Sequence, residues 1–231
     1  MIREGYTMYR YQDFQPQKTT RERENIEWTI TYHYNATDTT NPRVLLIGDS
    51  ISHQYHIKTR NRLANCANIS NWASSKCVTD PDYFRELDFY LDTCTCQMIT
   101  FNNGGHAIES DLDEYAYAYE RAVALIRVKL PDVKLSLVLT TPQNPDHPKI
   151  PKLNAVVLKV AAQYDLPVID LYNTMLELDA ESAYTDRYHF KPSAIDLQAD
   201  IMADHIRKAL SLSDGDMEQL STATGPAGAM K

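Results

Sequence analysis

The chain has 231 residues, with 23 Lys and Arg against 31 Asp and Glu, a formal net charge of −8. That length suits one domain with an ample core, and an acidic chain without a dense basic run is unsuited to gripping a nucleic-acid backbone. No apolar run approaches a bilayer span, and "MIREGYTMYRYQDF" carries charges where a signal peptide needs an apolar stretch. No membrane partner is therefore expected, and the expected location is cytoplasmic.

Residues 1–41 are aromatic and polar, and read as an N-terminal extension packing on the domain. Within them "IEWTITYHY" alternates like an edge strand, whereas "TTRERENIEW" has the letters to open a helix at Thr20; both readings stay open. So do two roles for the extension, a contact in a homodimer or a lid over a site. From Arg43 the pattern becomes regular. Short apolar runs at Val44–Ile47, Ala67–Ser70, Gln97–Phe101, Lys134–Thr140 and Pro167–Leu171 read as five strands buried on both faces.

Helical spacing fills the gaps: "PDYFRELDFYLD" from Pro81, then Asp111 to Leu130, Pro151 to Tyr164 and Pro192 to Leu210. Strands alternating with helices imply a five-stranded parallel sheet covered on both faces, an α/β domain over residues 42–211. Residues 212–231 lose periodicity and are expected to form a disordered tail.

Four cysteines are present, Cys66, Cys77, Cys94 and Cys96. Zinc sites favour C-x-x-C pairs. Cys94 and Cys96 are spaced C-x-C, which on a strand puts both on one face. Reduced structural thiols are expected, with no metal site and no cofactor.

In a parallel sheet, ligands gather beyond the carboxyl ends of the strands. Three loops open on that edge: Gly48-Asp49-Ser50, Asn102-Asn103-Gly104-Gly105-His106, and Thr140-Thr141-Pro142-Gln143-Asn144. A serine hydroxyl needs a positioned base. In "TDRYHFKPSA", Asp186 precedes His189 by three residues, a spacing at which a carboxylate can hold the imidazole Nδ1 while Nε2 faces a hydroxyl. Each motif also has a plain structural reading. "GDS" can be a strand-ending turn, D-x-x-H an approach to a helix cap, and the Asn-Gly pair a turn.

Taken together, "LLIGDSIS" and the distant "DRYHFKPSA" resemble the first and last blocks of the SGNH (GDSL-type) hydrolases, over roughly residues 43–210. The resemblance implies a three-layer α/β/α, flavodoxin-like, doubly wound sheet and hydrolysis of esters or thioesters. It implies Ser50 as nucleophile, His189 as general base and acid, and Asp186 as the carboxylate that orients it. The family's oxyanion hole uses the nucleophile's N–H, a backbone N–H from the second block and an Asn side chain from the third. Here those positions are Ser50 itself, Lys76 with Ser75 as its fallback, and Asn103 with Asn102 as its fallback. The second block lacks its usual glycine, and the third reads "FNNGGHA" in place of G-x-N-D.

Asp49 and His106 are expected to contact substrate, and His53 and His56 to face solvent or substrate. Trp72 and some of the fifteen tyrosines are candidates for a sugar-stacking platform, with most of them core. No G-x-S-x-G pentapeptide is present, which disfavours the α/β-hydrolase arrangement, and "GDS" lacks a glycine-rich phosphate loop. The expected function is ester hydrolysis through an acyl-enzyme, on a small-molecule or oligosaccharide ester, as a carbohydrate O-acetylesterase. The alternatives are a short-chain thioesterase or lysophospholipase, and a non-catalytic glycan-binding module.

Overall fold

The computed structural model describes residues 10–212. All but the first residue of the expected tail, 213–231, lies outside the described residues. Six strands form one sheet: β1 (Thr29–His33), β2 (Arg43–Gly48), β3 (Asn68–Ser74), β4 (Met98–Phe101), β5 (Lys134–Val138) and β6 (Val168–Ile169). Their spatial order is β1-β3-β2-β4-β5-β6.

The five strands from β2 onward are parallel. The sixth corrects the expected count. The stretch "TITYH" forms β1, which runs antiparallel to β3 with Thr29 opposite Ser74 and His33 opposite Ser70. Its burial is partial, as expected for an alternating edge strand rather than for a central one. Residues 20–28 do not form the helix that the sequence also allowed.

Seven helices flank the sheet: α1 (Ser50–Arg62), α2 (Pro81–Thr93), α3 (Leu112–Lys129), α4 (Ile150–Tyr164), α5 (Leu171–Leu176), α6 (Ala180–Ala183) and α7 (Pro192–Leu210). The period-two geometry of a strand sorts β2 between two cores. Leu45 and Ile47 pack with Leu87, Tyr119 and Val157 from α2, α3 and α4. Val44 and Leu46 pack with Tyr55 of α1 and Met202 of α7. The result is a three-layer α/β/α sandwich. None of the helices among the described residues is long and apolar enough to cross a membrane.

β3 runs four residues beyond its expected end, through buried Trp72 to Ser74. Cys94 and Cys96 precede β4 instead of lying on it: Cys94 terminates α2, where its N–H donates to Tyr90 O. Cys77, Cys94 and Cys96 are free thiols. Trp72 is core, stacked between Tyr83 and Tyr90 at centroid distances of 5.1 and 4.8 Å, and so is no platform for a sugar. His56 is fully buried rather than exposed. Tyr32 from β1 and Tyr34 just after it stack over His56, and Tyr34 Oη lies 3.1 Å from His56 Nε2.

Candidate active site

The chain leaves β2 for β3 on one side and then crosses to β4 on the other. The crevice at the carboxyl end of β2 is thus the point where strand order reverses, the usual ligand position in such sheets. Ser50 sits there as the first residue of α1. Two close approaches fix that turn. A Cβ on Gly48 would meet Ser52 Oγ at 2.6 Å, and one on Gly105 would meet Asp49 Oδ2 at 2.6 Å. Asp49 caps α1, its Oδ1 accepting from Ile51 N–H at 3.0 Å. Ser50 N–H belongs to the first helical turn, whose amides have no intrahelical acceptor and carry the positive end of the helix dipole.

His189 is presented by a loop closed on itself. Tyr184 and Phe190 form an isolated antiparallel bridge, and Phe190 is buried against Met175, Ala183 and Ala194. Phe190 N–H also donates to Gln54 Oε1 of α1 at 3.3 Å, which ties the loop to the serine's helix. Asp186 Oδ1 accepts from Tyr188 N–H at 2.7 Å and His189 N–H at 2.8 Å. Those backbone donors, with the imidazole, hold the Asp186 carboxyl down at about 2.

An ionised Asp186 can only accept, so His189 Nδ1–H donates to its Oδ2, at 2.8 Å. His189 Nε2 then carries the lone pair, and it lies 3.0 Å from Ser50 Oγ, which donates its proton. Ser50, His189 and Asp186 are thereby joined in one hydrogen-bonded relay.

The relay opens on a cavity of about 570 Å³, whose lining includes Asp49, Asn102, His106 and the Thr140–Gln143 stretch that follows β5. The expected substrate contacts Asp49 and His106 therefore both face it. Asn102 Nδ2 donates to Val138 O at 2.8 Å and approaches Thr140 Oγ1 at 3.3 Å.

The oxyanion donors expected from the second block are not brought to this cavity. Lys76 N–H donates to Ser74 Oγ at 3.1 Å, and Lys76 Nζ pairs with Glu86 at 2.8 Å. Ser75 N–H donates to Trp28 O at 3.1 Å. The physical reason is the added edge strand, which brings the Trp28 carbonyl and amide to the end of β3. Asn103 bridges the two loops: its Oδ1 accepts from Val78 N–H at 2.8 Å and its Nδ2 donates to Lys76 O at 3.0 Å. Among the described residues, no group of three or more His, Cys, Asp or Glu side chains gathers as a metal site would.

Solved structures share this fold. The chain matches a lipase/acylhydrolase from Enterococcus faecalis at 19% identity and TM-score 0.60, covering 76% of this chain and 99% of the other. It matches a member of the lipolytic G-D-S-L family from Veillonella parvula at 19% identity and TM-score 0.59, covering 70% and 96%. An acetyl xylan esterase matches at 16% identity and TM-score 0.60, covering 71% and 99%. The fold is that of the SGNH hydrolases. No family model and no curated protein matches the sequence. Within the SGNH fold, the signals legible in sequence were "GDS" and "DRYH". Glu24 and Trp28, which also line the cavity, carried no motif that could have revealed them.

Proposed function

We propose that the chain is a serine ester hydrolase of the SGNH type, working through an acyl-enzyme and removing acetyl groups from glycans. The observation that carries this reading is the unbroken relay from Asp186 Oδ2 through His189 to Ser50 Oγ, with steps of 2.8 and 3.0 Å. Ser50 Oγ bonds to the ester carbonyl carbon as its proton passes to His189 Nε2. Asp186 stabilises the imidazolium. His189 then gives the proton to the departing alcohol oxygen, leaving acetyl on Ser50. Water, deprotonated by His189, releases acetate and regenerates the serine.

Negative charge on the carbonyl oxygen would be met by Ser50 N–H at the start of α1. Asn103, with its side chain held between Val78 N–H and Lys76 O, does not line the cavity, whereas its fallback Asn102 does, so Asn102 is the side-chain donor of this reading. The glycan substrate is supported by the fold match to an acetyl xylan esterase. A cavity of about 570 Å³ also has room for a sugar ring.

The test is hydrolysis of p-nitrophenyl acetate and acetate release from acetylated xylan, by the wild type and by Ser50→Ala. Activity abolished in a folded Ser50→Ala supports the proposal; equal activity in both overturns it. The hydrogen bonding of Lys76 N–H and Ser75 N–H away from the cavity favours a second reading, a glycan-binding module without turnover. That reading predicts no ester hydrolysis by the wild type.

A further inference from the structure

Residues 19–28 are strapped onto the loops that follow β3 and β4 and onto the first turn of α3. Thr20 N–H and Oγ1 both donate to Glu114 Oε2, at 3.0 and 2.8 Å. The buried Arg21 guanidinium ion-pairs with Asp80, and donates to His106 O at 3.0 Å and Ser75 O at 3.3 Å. Trp28 is pinned at both main-chain groups by Ser75, through Oγ at 2.9 Å and N–H at 3.1 Å. This strap places Glu24 and Trp28 in the wall of the cavity that holds Ser50 and His189.

The three side chains at that wall are arranged together. The Trp28 ring meets His106 edge-on, with centroids 6.1 Å apart and planes at 76°. Glu24 Oε1 accepts from His106 Nδ1–H, which leaves His106 Nε2 to hydrogen-bond a sugar hydroxyl. Trp28 is half-buried, so its ring presents apolar surface on a rigid backbone, at little entropic cost to a ligand. A pyranose offers the complement, an apolar C–H face and a rim of hydroxyls. Arg21 pairs with Glu24, Glu27 and Asp80 together, so the carboxylates outnumber their cation and the wall would repel an acidic sugar. Arg187, a cation of the same lining, stands on the β5 side, its Nε donating to Gln143 Oε1 at 3.2 Å.

We propose that Trp28, Glu24 and His106 form the subsite for the sugar ring, and that it selects neutral over acidic oligosaccharides. This rests on the ester-hydrolase reading of the same cavity. The chain has two tryptophans, and Trp72 is fully buried, so a change in tryptophan accessibility on ligand binding reports Trp28.

The test measures acrylamide quenching of the full-length wild type with unacetylated xylotetraose or trigalacturonate at about 10 mM, enough to reveal a millimolar Kd. The expected result is protection by xylotetraose and none by trigalacturonate, with Glu24→Gln narrowing the gap. In parallel, Trp28→Ala should lower the ratio of kcat/KM on acetylated xylotetraose to that on p-nitrophenyl acetate, by about three- to tenfold through KM. Quenching unchanged by xylotetraose, equal protection by both sugars, or an unchanged ratio would overturn the subsite. Any of these with Ser50-dependent hydrolysis of p-nitrophenyl acetate intact leaves the esterase reading standing. Hydrolysis that survives Ser50→Ala refutes that reading separately.

Discussion

Replacing Arg21 by Met probes the strap at its anchor. The Arg21 side chain is 2% exposed and its partner Asp80 is fully buried. Asp80 Oδ2 accepts from Arg21 and from Cys77 N–H, the latter at 2.9 Å. Met keeps most of the aliphatic volume but removes the charge, along with the donors to Ser75 O and His106 O. The guanidinium's charge-assisted hydrogen bonds to those carbonyls are lost with it. The larger effect is the Asp80 carboxylate left buried without its cation, which brings the cost to about 3–5 kcal/mol. For a domain of this size that lowers Tm by roughly 6 to 20 °C. The strap can also detach before the domain unfolds, so amide exchange of Thr29–His33 should accelerate in the variant. Asp80→Asn in the Arg21→Met background removes the stranded charge and should recover most of the loss, a coupling above about 1 kcal/mol. Melting curves and hydrogen exchange on the wild type, both single variants and the double variant would read this. A Tm shift below about 2 °C with unchanged exchange, or strictly additive variants, would refute the reasoning.

Asp186→Asn keeps an acceptor for the backbone amides but removes the charge that fixes the imidazole, so kcat on p-nitrophenyl acetate should fall by up to about 10⁴-fold. A loss below about tenfold would assign Asp186 to the turn alone. Gly105→Ala places a Cβ 2.6 Å from Asp49 Oδ2 and pushes on the cap that seats Ser50. Turnover should drop while circular dichroism stays unchanged; full activity would contradict that close approach. Burial lowers the affinity of His53, His56 and His205 for protons. Their neutral forms are therefore favoured by folding. The stability they contribute is complete above the unfolded value of about 6.5 and is lost as pH falls below it. Tm should accordingly drop between pH 7.5 and 5.5 by less in His56→Gln/His205→Gln than in the wild type, and parallel drops would contradict this linkage.

The central strands and the long helices could be read from sequence because local pattern decides them. "VLLI" is buried on both faces, and Asp111 caps α3 through the amides of Asp113 and Glu114. Ser50 and His189 were legible for a different reason: each sits at an element boundary fixed by its own short motif. The strap was not legible, because nothing local distinguishes it. Arg21 bonds to residues 54, 59 and 85 positions away, and no period or spacing in "TTRERENIEW" encodes that. Lys76 is assigned through the family resemblance, with Asn71 matched to the second block's leading Asn, and that match says nothing of where β3 ends. With β1 paired alongside, β3 continues to Ser74, and Ser74 Oγ takes the Lys76 amide. An edge strand supplied from outside the regular pattern thus moved both the strand boundary and the nearby donors.

The most direct test of the account is to trap the acyl-enzyme. The protein is mixed with p-nitrophenyl acetate, quenched in acid within the first turnovers, digested and mapped by mass spectrometry. The account predicts one added acetyl group on Ser50 in the wild type and none in Ser50→Ala. Turnover of the ester with Ser50 never acetylated, or with the acetyl group on another residue, would contradict it.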